Sequence, residues 1–374
     1  MPRFLELLEK QPVILFDGAM GTMLYTKGFY INRCFDELNL SAPQAVKEIH
    51  AEYVRAGVDV IETNTFGANR YKLEPHGFAD KVAEINYKGA KLAREAGGHE
   101  VLVAGAIGPL GLKIEPWGPT SVDEAREAFR QQAQALLEGG VDLFILETFS
   151  DLSELQQALK GVREVANLPV VAQMTIGDEG NSLYGTNPET FTTRLDAWGA
   201  NVIGLNCSVG PQIMLETAER MLKVTKKPLS AMPNAGVPRD VEGRNIYLAS
   251  NEYMAEYAKR FIQNGVRILG GCCGTTPSHI KAMKGAVRAL VPVKTHVAVA
   301  AAPVDDAPKV TPIPSADKSR FAAKMVKGEF VTSVELTPPK GCDPTKILAA
   351  ARAIKEAGVD AINLPDGPRA SARM

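Results

Sequence analysis

The chain carries five cysteines, Cys34, Cys207, Cys272, Cys273 and Cys342. An odd count in a long chain argues against a disulfide framework and leaves metal binding or thiol chemistry open. Cys272 and Cys273 are neighbours, too close at Cα for a relaxed disulfide between them. They lie in Gly270-Gly271-Cys272-Cys273-Gly274-Thr275, and Cys207 lies in Asn206-Cys207-Ser208 at the end of another apolar run. Successive residues of a strand point to opposite faces, so adjacent cysteines can reach one ion only where the strand has ended. The flanking glycines permit that irregular backbone. Three thiolates with one open position describe a catalytic zinc rather than a closed structural one. The plainer reading, three small buried hydrophobes, fits a lone cysteine better than three at strand ends. The paired-cysteine spacing of a closed zinc ribbon is absent.

Positioning these residues requires a repeated scaffold, and the sequence has one. Eight short apolar runs read as strands: Val13–Asp17, Val58–Asn64, Val101–Ile107, Leu143–Thr148, Val170–Thr175, Val202–Cys207, Leu229–Asn234 and Val266–Gly271. Amphipathic stretches between them, such as Pro43–Ala56, Val122–Glu138, Leu152–Ala166 and Glu252–Asn264, read as helices, with Ser41, Ser121, Asp151 and Asn251 as capping residues. Glycine followed by valine closes several helices, as at Gly57-Val58, Gly140-Val141 and Gly265-Val266. The strands are apolar throughout, as strands buried on both faces should be. The pattern predicts an α/β fold, a (β/α)₈ TIM barrel over residues 1–293, with a doubly wound open sheet as the competing architecture.

In such a barrel the active site lies at the C-terminal ends of the strands. There the sequence places Asp17-Gly18-Ala19-Met20-Gly21-Thr22, Glu62-Thr63-Asn64-Thr65, Glu147-Thr148, Asn206-Cys207-Ser208, Pro233-Asn234 and the glycine-cysteine cluster. Asp-Gly alone is a common turn, and Glu147 alone could pair with a rim cation. Together, two carboxylates beside a metal suit an ammonium group, and the amides of Gly18–Thr22 could receive a carboxylate. Ammonium, carboxylate and a thiol on zinc add up to an amino-acid thiol.

Bulk properties exclude other classes. Lys and Arg number 42 against 43 Asp and Glu, for a formal net charge of −1, which gives no reason to expect nucleic acid or an acidic membrane as partner. No run of 18 apolar residues exists and the N-terminus does not read as a secretory signal, so a cytoplasmic protein is expected. Past residue 293 the composition changes. Residues 294–318 read as a linker rich in Ala, Val and Pro. Residues 319–374 contain a strand-like run (Phe330–Leu336), a helix-like one (Thr345–Ala357) and a second strand-like run (Val359–Leu364). One β-α-β unit cannot bury its own faces, so this reads as the incomplete start of a second α/β barrel.

The motifs Asp17-Gly18-Ala19-Met20-Gly21-Thr22, Glu62-Thr63-Asn64-Thr65-Phe66, Gly204-Leu205-Asn206-Cys207-Ser208 and Gly270-Gly271-Cys272-Cys273-Gly274-Thr275 resemble the homocysteine-binding domain of homocysteine S-methyltransferases, over roughly residues 10–290. The resemblance implies Zn²⁺ held by Cys207, Cys272 and Cys273, the homocysteine amine held by Asp17 and Glu147, and a substrate pocket that includes Gly18, Ala19, Thr22, Asn206 and Asn234. It implies methionine as product and leaves the donor open among S-methylmethionine, betaine, methyltetrahydrofolate and methylcobalamin. The tail motif Ser333-Val334-Glu335-Leu336-Thr337-Pro338-Pro339 is similar to the first strand of methylenetetrahydrofolate reductases, where the strand-end glutamate (here Glu335) is the general acid. The whole layout resembles bacterial bifunctional proteins joining the two activities. FAD is expected only if a complete reductase domain were present. The alternatives are flavin-dependent reductase activity and a non-enzymatic zinc-containing binding module.

Overall fold

The computed structural model describes residues 1–30, 33–237, 239–241, 244–288, 290, 314–337 and 344–364. The chain divides into two compact units, Met1–Thr295 and His296–Met374.

In the first unit, eight parallel strands form one sheet: β1 (Ile14–Leu15), β2 (Val60–Glu62), β3 (Leu102–Ile107), β4 (Leu143–Phe149), β5 (Val170–Met174), β6 (Val202–Asn206), β7 (Leu229–Met232) and β10 (Ile268–Leu269). Their order is β1-β10-β7-β6-β5-β4-β3-β2, and a parallel bridge between Phe16 and Val60 closes the ring. Each lies within one of the predicted runs, except that β4 extends one residue past its run, to Phe149. A helix follows each strand, and the architecture is the (β/α)₈ barrel. The open-sheet alternative fails on the Phe16–Val60 closure. A short antiparallel hairpin, β8 (Arg239–Val241) with β9 (Arg244–Ile246), interrupts the connection after β7 and was not expected from the sequence.

Local chemistry accounts for the helix ends. Ser121 and Glu124 form a reciprocal capping box on Val122–Gly139, and Asp151 accepts the Ser153 amide at the start of Leu152–Val165. Two expected caps differ. Pro43–Ala56 starts on Ala42 with no side-chain cap, because proline at the first position supplies the fixed φ and lacks an amide to satisfy. Asn251–Gln263 is capped by Ser250, whose hydroxyl accepts the Tyr253 amide, so Asn251 is already helical. Gly57 and Gly140 end their helices in the left-handed conformation.

The barrel interior is filled by alternate strand residues, among them Ile14, Phe16, Val60, Leu102, Ala104, Leu143, Ile145, Val171, Val202, Met232 and Ile268. Phe4 and Leu8 of the helix Arg3–Lys10 join this cluster, and Phe4 stacks edge-on against Phe16. Arg267 fastens that helix by donating to the carbonyls of Leu8, Gln11 and Pro12 at 2.6–2.7 Å. One end of the barrel is therefore plugged by hydrocarbon, which leaves the other end for chemistry.

The second unit holds a parallel pair, β11 (Ser333–Glu335) and β12 (Ala361–Asn363), joined through the helix Thr345–Glu356. Of the predicted linker, residues 294–313 lie outside the described residues and Ser315–Lys318 is a short helix. Cys342 also lies outside them. No helix among the described residues is long and apolar enough to cross a membrane.

Two measurements test this account. Phe4→Ala should lower unfolding free energy in urea by about 3–5 kcal/mol, since the ring is fully buried in the plug. The second concerns Glu154, buried beneath the loop after β3, where it accepts the Leu110 amide at 2.8 Å. Burial pushes its carboxyl up from 4.5 to about 7. Below pH 4.5 the group is protonated in both folded and unfolded chains. As pH rises from 4.5 to 7 the unfolded chain loses its proton first, so stability falls, and the loss is complete above 7. Glu154→Gln cannot titrate, so its stability relative to wild type should rise by on the order of 3 kcal/mol between pH 4.5 and 8. A difference that stays flat across that window would disprove the buried carboxyl's role.

Candidate active site

The inward parity of each strand carries through to its C-terminal end. Val60 is followed inward by Glu62, Leu143 and Ile145 by Glu147, Val202 and Gly204 by Asn206, and Ile268 and Gly270 by Cys272. The apolar interior therefore turns polar at one end. β4 loses register with β5 between Leu146 and Phe149, where Thr148 adopts a left-handed backbone (φ 63°), so the strand breaks beside Glu147.

Cys207, Cys272 and Cys273 meet there, with all three sulfurs within 4.8 Å of one another and Cys207 Sγ 3.7 Å from Cys273 Sγ. Thiolate sulfurs sharing one tetrahedral zinc stand about 3.8 Å apart, given Zn–S bonds of about 2.3 Å. The donor set therefore fits a zinc ion. The backbone is bent to achieve this: Cys207 and Ser208 have φ of 61° and 60°, a region that costs non-glycine residues about 1–2 kcal/mol each. Cys272 is held from beneath, its carbonyl accepting the Thr275 hydroxyl at 2.6 Å and the Thr275 amide at 3.0 Å. A Cβ at Gly18 or Gly271 would stand 2.5–2.6 Å from that hydroxyl oxygen, so only glycine fits at either place.

Three sulfurs this close cannot all carry charge unaided. Hydrogen bonds from Cys207 and Cys272 hold the Cys273 thiol down to about 3. The same contacts, with burial, push Cys272 well up. For Cys207 the pull of Cys272 is outweighed by Cys273 and burial, and the thiol rises to about 12. The Tyr247 hydroxyl also hydrogen-bonds to Cys273. Tyr247 follows the β8–β9 hairpin directly, so it was as hidden from the sequence as the hairpin itself.

Beside the sulfurs stand three carboxylates. Asp17 Oδ2 accepts the Glu62 amide at 3.1 Å, while its Oδ1 is buried without a hydrogen-bond partner. Burial raises Asp17 and Glu62 well above the ordinary range, and the charge of Glu147 raises both further. Burial, then the charge of Cys273, brings Glu147 up to about 7. A cationic guest would relieve all three. Asn206 fixes Glu147, donating to its Oε2 at 3.2 Å and to Thr148 Oγ1 at 2.7 Å while accepting the Thr148 amide at 2.7 Å.

These groups line one cavity of about 570 Å³, which Asp17, Gly18, Ala19, Thr22, Glu62, Glu147 and the three cysteines share with Phe35, Phe66 and Lys72. Asn206 and Asn234 are buried behind this lining. Asn234 donates its amide to the Val209 carbonyl at 3.1 Å, and its side-chain oxygen is buried without a partner. Within the stretch expected to offer free amides, the Ala19 amide is already donated to Thr275 Oγ1 at 3.1 Å, and the Thr22 hydroxyl accepts the Gly274 amide. Lys72 and Phe35 are among the lining residues that the sequence reading did not name, and Glu62, which it placed at the rim, was given no role there. The parity from Val60 inward was a usable signal for Glu62.

Residues 14–287 match the model of the homocysteine S-methyltransferase family. The methionine synthases of Mycobacterium tuberculosis and Mycobacterium leprae are each 34% identical over 295 residues, 74% of this chain. The match takes in 25% and 24% of those proteins, so the chain spans about a quarter of the length of the curated relatives it matches. Among solved structures, the metallated form of the homocysteine methyltransferase MmuM from Escherichia coli aligns with a TM-score of 0.65 at 25% identity, over 75% of this chain and 98% of that one. A methyltransferase from Methanosarcina mazei shares the fold, with a TM-score of 0.50 at 15% identity over 76% and 96% of the two chains. With a family match over the whole barrel and a cysteine-lined cavity at its open end, the chain belongs to the homocysteine S-methyltransferase family, a family of methyltransferase enzymes.

Proposed function

We propose that this barrel transfers a methyl group to the sulfur of homocysteine, forming methionine, with zinc held by Cys207, Cys272 and Cys273. The observation that carries the reading is the placement of three converging sulfurs and three buried carboxylates in one cavity. The metallated MmuM structure supports it. A zinc ion bound there would deprotonate a thiol that enters its open position and keep it nucleophilic near neutral pH.

The remaining work falls to the chain. Asp17 and Glu147 take the substrate ammonium, and Asn206 orients Glu147 for it. Gly18 and Thr22 line the same wall, and the absence of a side chain at Gly18 lets the Thr275 hydroxyl pack against that backbone. Asn234 braces the loop behind the cysteines. Holding the amino-acid end in this way points the sulfur at the metal site and leaves its far side open to the donor, so attack and departure can lie in line. Phe35 and Phe66 supply apolar surface to the same cavity. Three free thiols suit a reducing compartment such as the cytoplasm, since oxidation of any pair would remove two ligands.

Purified protein supplied with zinc, homocysteine and, in turn, S-methylmethionine, betaine, methyltetrahydrofolate and methylcobalamin should form methionine with at least one donor. No methionine with any of them would reject the activity. Cys273→Ser should lose stoichiometric zinc and methyl transfer together, and full transfer by a zinc-free Cys273→Ser protein would reject the metal's role. Asp17→Asn should keep its zinc and weaken homocysteine binding by roughly 10–100-fold, the range for losing a hydrogen bond to a charged group. Calorimetric titration of the zinc-loaded protein measures it.

A further inference from the structure

Lys72 is the half-buried cation on the cavity wall, where Arg33 and His76 are exposed. Its ammonium lies 4.4 Å from the centre of the Phe66 ring. Its stem is confined on two sides: a Cβ at Gly111 would stand 3.1 Å from Lys72 Cε, and one at Gly67 would stand 3.4 Å from Cδ. Among the described residues the ammonium has no ion pair and no hydrogen bond. The carboxylates that face it at longer range are Asp36, Glu154 and Glu147. Each is committed elsewhere. Asp36 accepts the Gly67 amide at 2.9 Å and faces the Cys34 thiol. Glu154 accepts the Leu110 amide, and Glu147 accepts from Asn206. A positioned cation that faces a cavity with no counter-ion in contact is prepared for an anion from outside. Burial pulls its ammonium below the ordinary lysine range, as expected for a cation without a close partner.

The guests of this cavity are amino acids. The three carboxylates account for an ammonium group, whereas a carboxylate is held by free amides or by a cation. The Ala19 amide, one candidate, is taken by Thr275. We propose that Lys72 is the carboxylate-binding residue of this cavity, with Arg33 adding the same sign of charge at its mouth. The inference rests on the homocysteine reading above. The carboxylate could be that of homocysteine or that of the methyl donor.

A double-mutant cycle between lysine and ligand separates these sources. Dissociation constants are measured on the zinc-loaded protein for homocysteine and for 3-aminopropane-1-thiol, which lacks the carboxylate, with wild type and Lys72→Met. If homocysteine is the source, removing either partner weakens binding by roughly 10–100-fold, and removing the second costs little more. The parallel cycle compares S-methylmethionine with trimethylsulfonium by KM in both proteins. Coupling there, with additive effects on homocysteine, assigns the site to the donor. Additive effects in both cycles overturn the proposal. Lys72→Gln provides a second variant should Lys72→Met lose zinc or fold poorly, and the wild-type comparison of the two thiols needs no variant at all. A wild-type protein that binds neither thiol is a different result: it overturns the homocysteine reading and this one with it.

Discussion

Cys207 and the Cys272–Cys273 pair leave the barrel from strands that are not neighbours, and their sulfurs must nevertheless meet at one point. β7 stands between β6 and β10 in the sheet. The chain leaving β7 is therefore the element that decides whether the sulfurs converge. Its Met232 carbonyl accepts the Cys207 amide at 3.1 Å and its Pro233 carbonyl accepts the Cys272 amide at 2.9 Å. Just beyond, Asn234 donates to Val209 and Ala235 donates to the Cys273 carbonyl. Four backbone hydrogen bonds thus tie both cysteine loops to one short segment. Proline loses nothing at 233, because only its carbonyl is used. With this clamp in place the left-handed turn at Cys207 and Ser208 is held by its surroundings, which is the condition under which such strain persists.

The electrostatics follow from that convergence. Gathering thiols and carboxylates at one end of a barrel is unfavourable in itself: each carboxyl there is pushed toward its neutral form by burial and by neighbouring charge, and of the three thiols only Cys273 is held toward its charged form. The fold tolerates this because most of its remaining interior is hydrocarbon, the Gln173–Ser230 hydrogen bond being a polar exception. A stable apolar column carries a polar end that is left electrostatically unsatisfied. Two kinds of cation would relieve it, a metal among the sulfurs and an ammonium among the carboxylates. On the function proposed above, the same imbalance that raises these carboxyls would favour a guest bearing both a positive charge and a thiol.

Much of this was legible in the sequence, and for identifiable reasons. The eight strands announced themselves because a parallel barrel buries both faces and so demands continuous apolar runs, several of them preceded by glycine. The cysteines stood out because Gly270-Gly271-Cys272-Cys273-Gly274 has no use within a regular strand. Other features depended on three-dimensional contacts that leave no local trace. The β8–β9 hairpin is only three residues on each strand, too short for a period-2 signal, and Tyr247 came with it. The Ser250 cap was displaced by one residue because serine and asparagine both cap well and only geometry chooses between them. The engagement of the Ala19 amide required Thr275, which is remote in sequence and comes close only when β10 pairs with β1.

Thr275 also shows how closely the metal corner and the substrate wall are joined. Its hydroxyl donates to the Cys272 carbonyl and accepts the Ala19 amide, and the Tyr53 hydroxyl lies within hydrogen-bond distance of both the Thr275 and Ala19 carbonyls. The glycine-cysteine loop after β10 and the Asp-Gly loop after β1 are therefore one structural piece, spanned by a single threonine and braced by a buried tyrosine. A shift of Cys272 would carry Ala19 with it, and Ala19 lies two residues from Asp17. In such an arrangement metal and substrate positions are not set independently. The spacing between the cysteine corner and the Asp17 carboxylate is a property of the β1–β10 junction, and on the function proposed above that spacing would decide which length of amino-acid thiol the cavity can hold at both ends.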